Sequence, residues 1–527
     1  MPTSRINNRR PRTRRTPTPP ASSRRGIVLV LVLIVIVLLS LSAYTFSDLM
    51  LAENGATRVF SQQSQAQSLV QSGAAATRMF LSTTLEVRQQ NGGVYSNANY
   101  FQGILVADSP EPKQRGYYAV LAPEMDSQGY LGGIRFGLEN ESSKLNLNAL
   151  TFIDQQQDGA GREVLMQLPG MTETIADAIM DWLDDDDEPR EFGAEIEYYS
   201  ALPTPYEPTN GPFESVEQLM LVKGVTPQLL FGSDFNRNMM LDTNEQNAPM
   251  ATGVDNTQGN MDRGWSAYLT LYSMEKNVDP EGNPRVYLNQ TDAQTLHDAL
   301  TEVLDSDKAT FIVAFRQNGR YTNNNPSQPL AGQMPDMSVA LQADITSLYA
   351  LIDEKVQFTD SSQQTIVVDS PWQSANLGSL MLDLPKLMQY CTTTDQEIIP
   401  GRVNINQASR VVLEGIPGMQ AEWVEAILAS RDPDPDQASP TRLHETWLLS
   451  EGIVTEISDM EALAPFITAG GDVYRGQIVG YFEDGNTAAR AEVFFDATQL
   501  LPRVLFWRDI SHLGRGFPAA SLGVRGG

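Results

Sequence analysis

The longest apolar stretch of the chain lies near its amino terminus. From Gly26 to Ser47 no residue is charged, and Ile27–Leu39 contains only isoleucine, valine and leucine. At about 1.5 Å per residue, a helix over this stretch spans roughly the 30 Å hydrocarbon core of a bilayer. Apolar residues then recur at helical spacing as far as Val87, and Asn91-Gly92-Gly93 ends the pattern. The pattern predicts a membrane-spanning helix that continues beyond the membrane to about residue 90.

Strand patterns flank a long helical region. Runs rich in β-branched and aromatic residues occur on both sides of it, and the turn sequence Asp484-Gly485-Asn486 predicts a hairpin between two of the later runs. The predicted strands are Gly116–Leu121, Gly133–Leu138, Val473–Phe482, Ala491–Phe495 and Arg503–Ile510. With strands at both ends and helices between them, we expect an α+β protein in which one α/β domain is interrupted by a large helical insertion.

The predicted insertion contains an internal repeat. Both clear copies have an Asn-x-Asn segment, a Pro-Gly turn and an Ala-Ile pair: Lys144-Leu-Asn-Leu-Asn148, Leu168-Pro-Gly-Met171 and Ala176-Asp-Ala-Ile179, then Arg402-Val-Asn-Ile-Asn406, Ile416-Pro-Gly-Met419 and Val424-Glu-Ala-Ile427. A fainter middle copy runs from Arg285-Val-Tyr-Leu-Asn289 to Phe311–Arg316 without the Pro-Gly turn. A helix, a Pro-Gly turn and a second helix are typical of helix-hairpin-helix or SAM-like units.

The charge balance opposes nucleic-acid binding by these units. The 527 residues carry a net charge of −28, and the two Pro-Gly turns continue with Glu173 and Glu422 where phosphate binding needs close backbone approach. We therefore expect helical packing for protein contact and no nucleic-acid partner. Cys391 is the only cysteine, so no intrachain disulfide exists, and none of the three histidines lies beside a nucleophile motif. These observations predict a protein that is not an enzyme.

The amino-terminal leader sets the expected orientation. Residues 1–26 carry eight arginines and no acid, which predicts a cytoplasmic amino terminus and places the chain after Ser47 across the membrane. A conventional cleaved signal peptide fits poorly, because the apolar run is long and no Ala-x-Ala-like site follows it. A plain signal anchor and a prepilin-type leader, cut between Gly26 and Ile27, stay open, and the Arg-Gly junction favours the second.

Two segments are candidates for cation binding. Five consecutive carboxylates at 184–188 are followed by Glu195 and Glu197, and such a run is either a solvated helix end or a site for calcium, which takes oxygen ligands. The second, weaker candidate has the spacing of an EF-hand loop at Asp234, Asn236, Asn238, Asp242 and Glu245. Its sixth position is Met239 instead of glycine, so a polar surface loop is the alternative.

Together, these motifs resemble the K-type minor pseudopilins of the type II secretion system. The matching stretches are Arg25-Gly26 with the apolar helix, Leu145–Asn148, Leu168–Asp187, Gly193–Tyr199, Ser215–Val225 and Val403–Arg431. Most pilins have glutamate at the fifth mature position, where this chain has Leu31. A subunit with no neighbour above it has no use for that charge, and the K family also lacks it.

The resemblance implies a function and a ligand set. It implies a tip subunit of the periplasmic pseudopilus that supports protein secretion across the outer membrane. The subunit would span the inner membrane once, with other minor pseudopilins, the inner-membrane secretion platform and the prepilin peptidase as partners. Calcium would bind in the loop corresponding to Asp181–Tyr199, with Asp184, Asp186, Glu195 and Glu197 as candidate ligands. The alternative function is that of a signal-anchored, exported helix-hairpin-helix protein for DNA uptake or adhesion.

The resemblance also divides the chain into seven expected segments. These are a prepilin-type leader (1–26), a transmembrane and extended pilin helix (27–90), the first part of a pilin-like α/β domain (91–143), a first SAM-like unit with the acidic loop (144–245), a middle insertion with the degenerate repeat (246–400), a last SAM-like unit (401–470) and the strands that complete the pilin-like domain (471–527).

Overall fold

The computed structural model describes residues 25–246, 252–254, 261–360, 362–434, 439–483, 487–518 and 520–523. Residues 1–24 of the predicted leader and the predicted turn Asp484-Gly485-Asn486 lie outside the described residues. The chain divides into two compact parts, Met1–Ser64 and Gln65–Gly527, and each is described by itself. The fold combines helices and sheet and has a long apolar helix near its amino terminus, as the sequence predicts.

The helices are α1 Arg25–Leu81, α2 Leu85–Gln90, α3 Ala98–Phe101, α4 Leu150–Gln156, α5 Ala160–Met166, α6 Glu173–Leu183, α7 Ile196–Ser200, α8 Pro227–Phe231, α9 Ala293–Val303, α10 Ser306–Asn318, α11 Leu377–Tyr390, α12 Arg410–Glu414, α13 Ala421–Ser430, α14 Trp447–Ser450 and α15 Ile457–Leu463. Among the described residues, α1 is the one helix long and apolar enough to cross a membrane, and the side chains of Ile27–Leu39 are all exposed. This helix fits a single-pass membrane anchor.

The predicted helix to residue 90 is interrupted. The helix α1 ends at Leu81, and α2 begins at Leu85 after the hydroxyl of Thr84 accepts a hydrogen bond from the Val87 amide at 3.4 Å. A threonine that caps the next helix ends the first one locally, although the apolar spacing continues across the break. The extended helix is therefore shorter than the apolar pattern predicts.

The strands are β1 Ile104–Ala107, β2 Gly116–Met125, β3 Leu131–Phe136, β4 Glu139–Asn140, β5 Leu145–Asn146, β6 Leu269–Thr270, β7 Met274–Lys276, β8 Val286–Tyr287, β9 Lys355–Thr359, β10 Thr365–Asp369, β11 Cys391–Thr392, β12 Ile398–Pro400, β13 Val403–Asn404, β14 Ile467–Thr468, β15 Val473–Phe482, β16 Ala488–Asp496 and β17 Arg503–Asp509.

One antiparallel sheet joins the two ends of the insertion. Its order is β1-β2-β15-β16-β17, with β3 paired to β2 and β4 paired to β15. The part of α1 after Gln65 buries Leu69, Val70 and Ala74 against apolar residues of this sheet. Gly480 permits the close approach, because a Cβ there would overlap the carbonyl oxygen of Ala66. The sheet therefore holds together strands that are far apart in sequence.

Each of the three sequence copies begins and ends in a two-residue parallel strand pair. The pairs are β5 with β6, β8 with β11, and β13 with β14. The asparagine that follows the first strand then braces its own unit. Asn148 exchanges two hydrogen bonds with the backbone of Phe213 at 3.0 and 2.8 Å, and Asn289 does the same with Ile345 at 2.9 and 2.8 Å. The chain consequently leaves each unit next to the point where it entered that unit.

Two apolar cores fill the insertion. The first core surrounds α6 and includes Trp182, Tyr199 and Trp265. The second core contains residues from both the middle copy and the last copy, among them Phe311, Trp372 and Trp447. The predicted segments 246–400 and 401–470 thus share one core in the structure. Gly170 and Gly418 adopt φ values of +71° and +77° in the two Pro-Gly turns, a conformation that favours glycine.

Candidate cation site

The acidic run follows directly from the buried helix α6. The hydroxyl of Thr172 caps this helix, and its last residues, Trp182 and Leu183, are buried in the first core. The helix ends at Leu183, so Asp184 takes extended backbone at its carboxyl terminus. Carboxylates at this end of a helix lie beside the negative end of the helix dipole and gain nothing from it. Water solvates the exposed carboxylates of residues 185–188, whereas that of Asp184 is half-buried.

Three of the predicted ligands lie together. One carboxylate oxygen from each of Asp184, Asp186 and Glu195 falls within 4.8 Å of the others. Glu195 is only 3% exposed, and neither of its carboxylate oxygens has a hydrogen-bond partner among the described residues. The Oδ1 atom of Asp184 is also buried without a partner there. Burying unpaired acceptors costs about 1–3 kcal/mol each, which a bound cation would offset.

Neighbouring groups hold this cluster in place. Asp181 is fully buried and accepts hydrogen bonds from the backbone amides of Arg190 at 3.2 Å and Ala194 at 2.7 Å. Gly193 is required beside it, because a Cβ at that position would overlap the Asp181 carboxylate. The loop from Arg190 to Glu195 is thus folded around one buried carboxylate.

One arginine serves several of these acids. Arg190 lies 3.0 Å from Asp181 and 3.3 Å from Asp154, and it also pairs with Asp184. No lysine, arginine or histidine pairs with Glu195 or Asp186 among the described residues. Burial, together with the charges of Asp181 and Asp184, raises the pKa of Glu195 to about 7. Burial also raises the pKa of Asp184, although Arg190 opposes this shift.

Asn210 is hydrogen-bonded to the acidic run, which the sequence did not indicate. Its Nδ2 donates to the Asp186 carbonyl at 2.6 Å and to the Asp187 carboxylate at 3.1 Å, while its Oδ1 is buried without a partner among the described residues. Its positive φ of 41° suits asparagine in a turn. Glu197, in contrast, is exposed in the first turn of α7 and lies outside the group of three carboxylates.

The available oxygens fit a hard cation. The group offers three carboxylates, and calcium takes six to eight oxygen ligands, including water. No nitrogen or sulfur ligand of the kind that zinc prefers is part of the group of three. The cluster therefore offers the type of oxygen ligand that a hard cation such as calcium takes.

The second predicted loop is arranged differently. Asp234 accepts hydrogen bonds from the amides of Asn238 at 2.9 Å and Met239 at 3.0 Å. Glu245 accepts from the amides of Phe235 at 3.1 Å and Asp242 at 2.9 Å. The Asn236 and Asn238 side chains donate to the Asp242 carboxylate at 2.6 and 3.0 Å. The loop's own donors thus satisfy its acids.

The packing of the Met239 side chain explains why the sixth position of this loop tolerates a residue other than glycine. Its φ of +60° is the conformation that an EF-hand loop needs there. Its side chain is nevertheless 5% exposed and packs with Leu121, Val479, Tyr481 and Phe517 against the sheet. Burying a methionine contributes about 1.5–3 kcal/mol, which exceeds the roughly 1–2 kcal/mol cost of the left-handed backbone.

Comparisons with known proteins give a family match and a structural match. Residues 143–231 match the family model described as "Type II secretion system (T2SS), protein K". No curated protein matches the chain. A solved chain from the GspK-GspI-GspJ complex of the enterotoxigenic Escherichia coli type 2 secretion system is similar at 12% identity, over 86% of this chain and 99% of that chain, with a TM-score of 0.38. The matched residues 143–231 contain the whole acidic cluster and Asn210.

Proposed function

We propose that this chain, whose residues 143–231 are a type II secretion protein K domain, acts as the tip subunit of a periplasmic pseudopilus. The domain match confirms the recognition made from the sequence, and with it the function of a minor pseudopilin in type II secretion. The single observation that carries the proposal is that this domain follows, along the chain, a long helix whose first part, Gly26–Ser47, is uncharged and exposed. The proposed role is assembly rather than catalysis.

Membrane placement is the first part of the proposal. The leader's arginines favour a cytoplasmic amino terminus, with the chain after Ser47 in the periplasm and α1 in the inner membrane. Cleavage by the prepilin peptidase would fall between Gly26 and Ile27. Gly26 lies in the first turn of α1, where nothing lies within 4 Å of the position a Cβ would take, and glycine has low helix propensity. The first turn is therefore easy to open for a peptidase.

The position at the tip follows from the missing acid. Leu31 offers no carboxylate to the amino terminus of a subunit above it, so the chain can close a filament but not extend one. The partners would be other minor pseudopilins, together with the inner-membrane secretion platform. The similar solved chain comes from a complex of GspK, GspI and GspJ of a type 2 secretion system.

Calcium is the proposed structural cofactor. Asp184, Asp186 and Glu195 would supply carboxylate oxygens, and Asn210 would supply its free amide oxygen. Glu197 is not needed in this ligand set, since it lies exposed outside the cluster. The bound cation would neutralise the carboxylates of the loop and fix the segment between α6 and α7. The loop 234–245 is a weaker candidate, because its acids already have donors.

The test of the function is secretion in the native host. Deletion of the gene should stop export of type II substrates, and the wild-type chain should restore it. The variant Gly26→Ala should remain uncleaved and fail to restore export, whereas Gly55→Ala, a helical glycine with open space around it, should restore it. Native protein that begins near residue 1, or export that persists without the gene, would contradict the proposal.

The same strain tests the tip position. Cross-linking of the assembled pseudopilus should recover this chain with other pseudopilins and not as long homopolymers. A ladder of homopolymers would place the chain along the filament and leave the membrane anchor unaffected. The DNA-uptake alternative predicts instead that the purified chain retains DNA at physiological salt, which its acidic composition disfavours.

A further inference from the structure

A large cavity lies beside the strand pairs of the three repeat units. Its volume is about 1490 Å³, and its lining includes one strand residue from each unit: Asn146 of β5, Thr392 of β11 and Thr468 of β14. Small-molecule pockets usually measure about 300–1,000 Å³. The space is thus larger than a single small ligand needs and is suited to a segment of polypeptide.

The charge of the cavity is opposite to that of the protein. Five cationic side chains and three carboxylates line it, although the chain as a whole has 65 acidic residues and a net charge of −28. Two of the cations are paired: Arg402 lies 2.5 Å from Glu275, and Arg442 lies 2.7 Å from Glu451. The remaining three, Arg88, Lys276 and Arg285, are half-buried and have no carboxylate oxygen within 4.0 Å among the described residues.

Unpaired polar atoms accompany these cations. The Tyr349 hydroxyl belongs to a side chain that is 1% exposed, and it has no hydrogen-bond partner among the described residues. The Oδ1 atom of Asn406 is in the same condition, and both residues line the cavity. Burial lowers the pKa of the Arg285 guanidinium, although the charges of Glu275 and Glu445 oppose this shift. An anionic ligand with hydrogen-bonding groups could pair with the cationic side chains and also hydrogen-bond to the Tyr349 hydroxyl and the Asn406 amide oxygen.

Apolar side chains border the same space. Leu85, Phe152 and Leu443 are 53%, 46% and 54% exposed, and all three line the cavity. Exposed apolar side chains beside unpaired cations match a ligand that alternates acidic and apolar groups. A small inorganic anion would leave these side chains exposed.

We propose that this cavity binds an acidic polypeptide segment of a partner protein, with Lys276 and Arg285 pairing its carboxylates and Leu85 and Leu443 contacting its apolar side chains. The proposal goes beyond the role in pseudopilus assembly and assigns a function to the surface that the middle repeat unit creates. The unpaired cations would then gain counter-ions only in the complex, so binding would depend on salt as well as on the apolar contacts.

The first experiment measures binding to the detergent-solubilised full chain. The probe is a fluorescent synthetic peptide that alternates glutamate and leucine, followed by fluorescence anisotropy. The double variant K276Q/R285Q should weaken binding by roughly tenfold or more, which corresponds to about 1.4 kcal/mol. The matched control K113Q/K386Q removes two exposed lysines outside the cavity, alters the net charge equally and should bind within about twofold of wild type.

Every other outcome overturns the proposal. Equal weakening in both double variants would mean diffuse electrostatic attraction, and failure of the wild type to bind would mean that no such site exists. Full competition by inorganic phosphate at fixed ionic strength would identify a small-anion site instead. A peptide that alternates lysine and leucine tests the sign of the charge and should not bind.

The second experiment needs no variant and so does not depend on correct folding of one. Cys391 is the only cysteine of the chain and lines the cavity, with 1% of its side chain exposed. Saturating Glu-Leu peptide should slow alkylation of Cys391 severalfold, while the Lys-Leu peptide should not. An unchanged alkylation rate under saturation would place the bound peptide outside the cavity and refute the assignment.

Discussion

The two acidic loops have similar composition, but they differ in how many hydrogen-bond donors reach their carboxylates. In the loop that contains Asp184 and Glu195, several carboxylate oxygens have no donor. In the loop from Asp234 to Glu245, backbone amides and asparagine side chains donate to the acids. Acidic residues at plausible ligand spacing therefore do not by themselves identify a cation site. Buried acceptor oxygens that have no donor after folding are the more informative sign, because a buried acceptor without a partner is costly.

Gly193→Ala should have the largest effect of the changes considered, and it acts on the first loop alone. Its Cβ would overlap the carboxylate of Asp181, which is fully buried and holds the loop through Ala194. We expect the free energy of unfolding to fall by more than about 3 kcal/mol, in chelator as well as in calcium. Chemical denaturation of the variant measures this loss. The control Gly378→Ala has open space around it and should cost less than about 1 kcal/mol.

Calcium should separate the two loops directly. A cation that binds only the folded state raises stability by about 2.7 kcal/mol when its free concentration is 100 times its Kd. Glu195→Gln should abolish the calcium-dependent rise in Tm, whereas Glu197→Gln, two positions away but exposed, should keep it. Glu245→Gln should also keep it, because that carboxylate already has donors. A loss in Glu245→Gln as large as that in Glu195→Gln would remove the distinction between the loops.

The pH dependence in chelator should reveal the unpaired Glu195. Its pKa is raised from 4.5 to about 7 by burial and by neighbouring acids, so the folded state holds a proton that the unfolded state releases. The stability it contributes is fully present below about pH 4.5 and is lost as the pH rises through about 7. We expect a loss of roughly 3 kcal/mol over this window relative to Glu195→Gln, since each pKa unit corresponds to about 1.36 kcal/mol.

Calcium should remove this pH dependence near neutrality. The metal requires the deprotonated carboxylate, so its affinity should increase between about pH 5 and 7 with release of a proton. Titration calorimetry in two buffers of different ionisation enthalpy measures that proton. An affinity that does not change with pH would contradict a role for Glu195 as a ligand.

Met239 tests the second loop with the smallest expected effect. Both Met239→Ala and Met239→Gly lose the packing against Leu121 and Phe517. Glycine also relieves the positive φ of +60°, whereas alanine does not. We expect Met239→Ala to be less stable than Met239→Gly by about 1 kcal/mol, a reversal of the usual order for exposed helical positions. Equal stabilities, measured by thermal unfolding without calcium, would mean that the backbone at 239 carries no strain.

The strands could be predicted because their signal is local. The predicted Val473–Phe482 coincides with β15, and Arg503–Ile510 differs from β17 by one residue. Alternation and β-branched content suffice for such segments. The break of the long helix at Ser82–Thr84 was missed, because the apolar spacing continues across it and one capping hydroxyl decides the outcome.

The site was predictable only in part. Composition indicated the acidic segment, and Asp184, Asp186 and Glu195 do lie together. Sequence spacing could not separate Glu195 from Glu197, since that depends on the start of α7 at Ile196, which leaves one carboxylate inside and the other exposed. Asn210 was not predictable either, because a long connection with several prolines brings it back to Asp186. The one sequence signal for a tightly folded loop here was the glycine at position 193. The structure shows that only glycine fits at this position beside Asp181.

The parallel strand pairs that close each repeat unit also bear on the order of folding. Strand β2 ends at Met125 and its partner β15 begins at Val473, so the central pair of the sheet would have to close a very long loop if the insertion were unstructured. Because each unit returns the chain to its own starting point, folded units act as short tethers and reduce that loop-closure entropy. The units should therefore form first, and the sheet should be completed last, after the carboxyl-terminal strands have been synthesised.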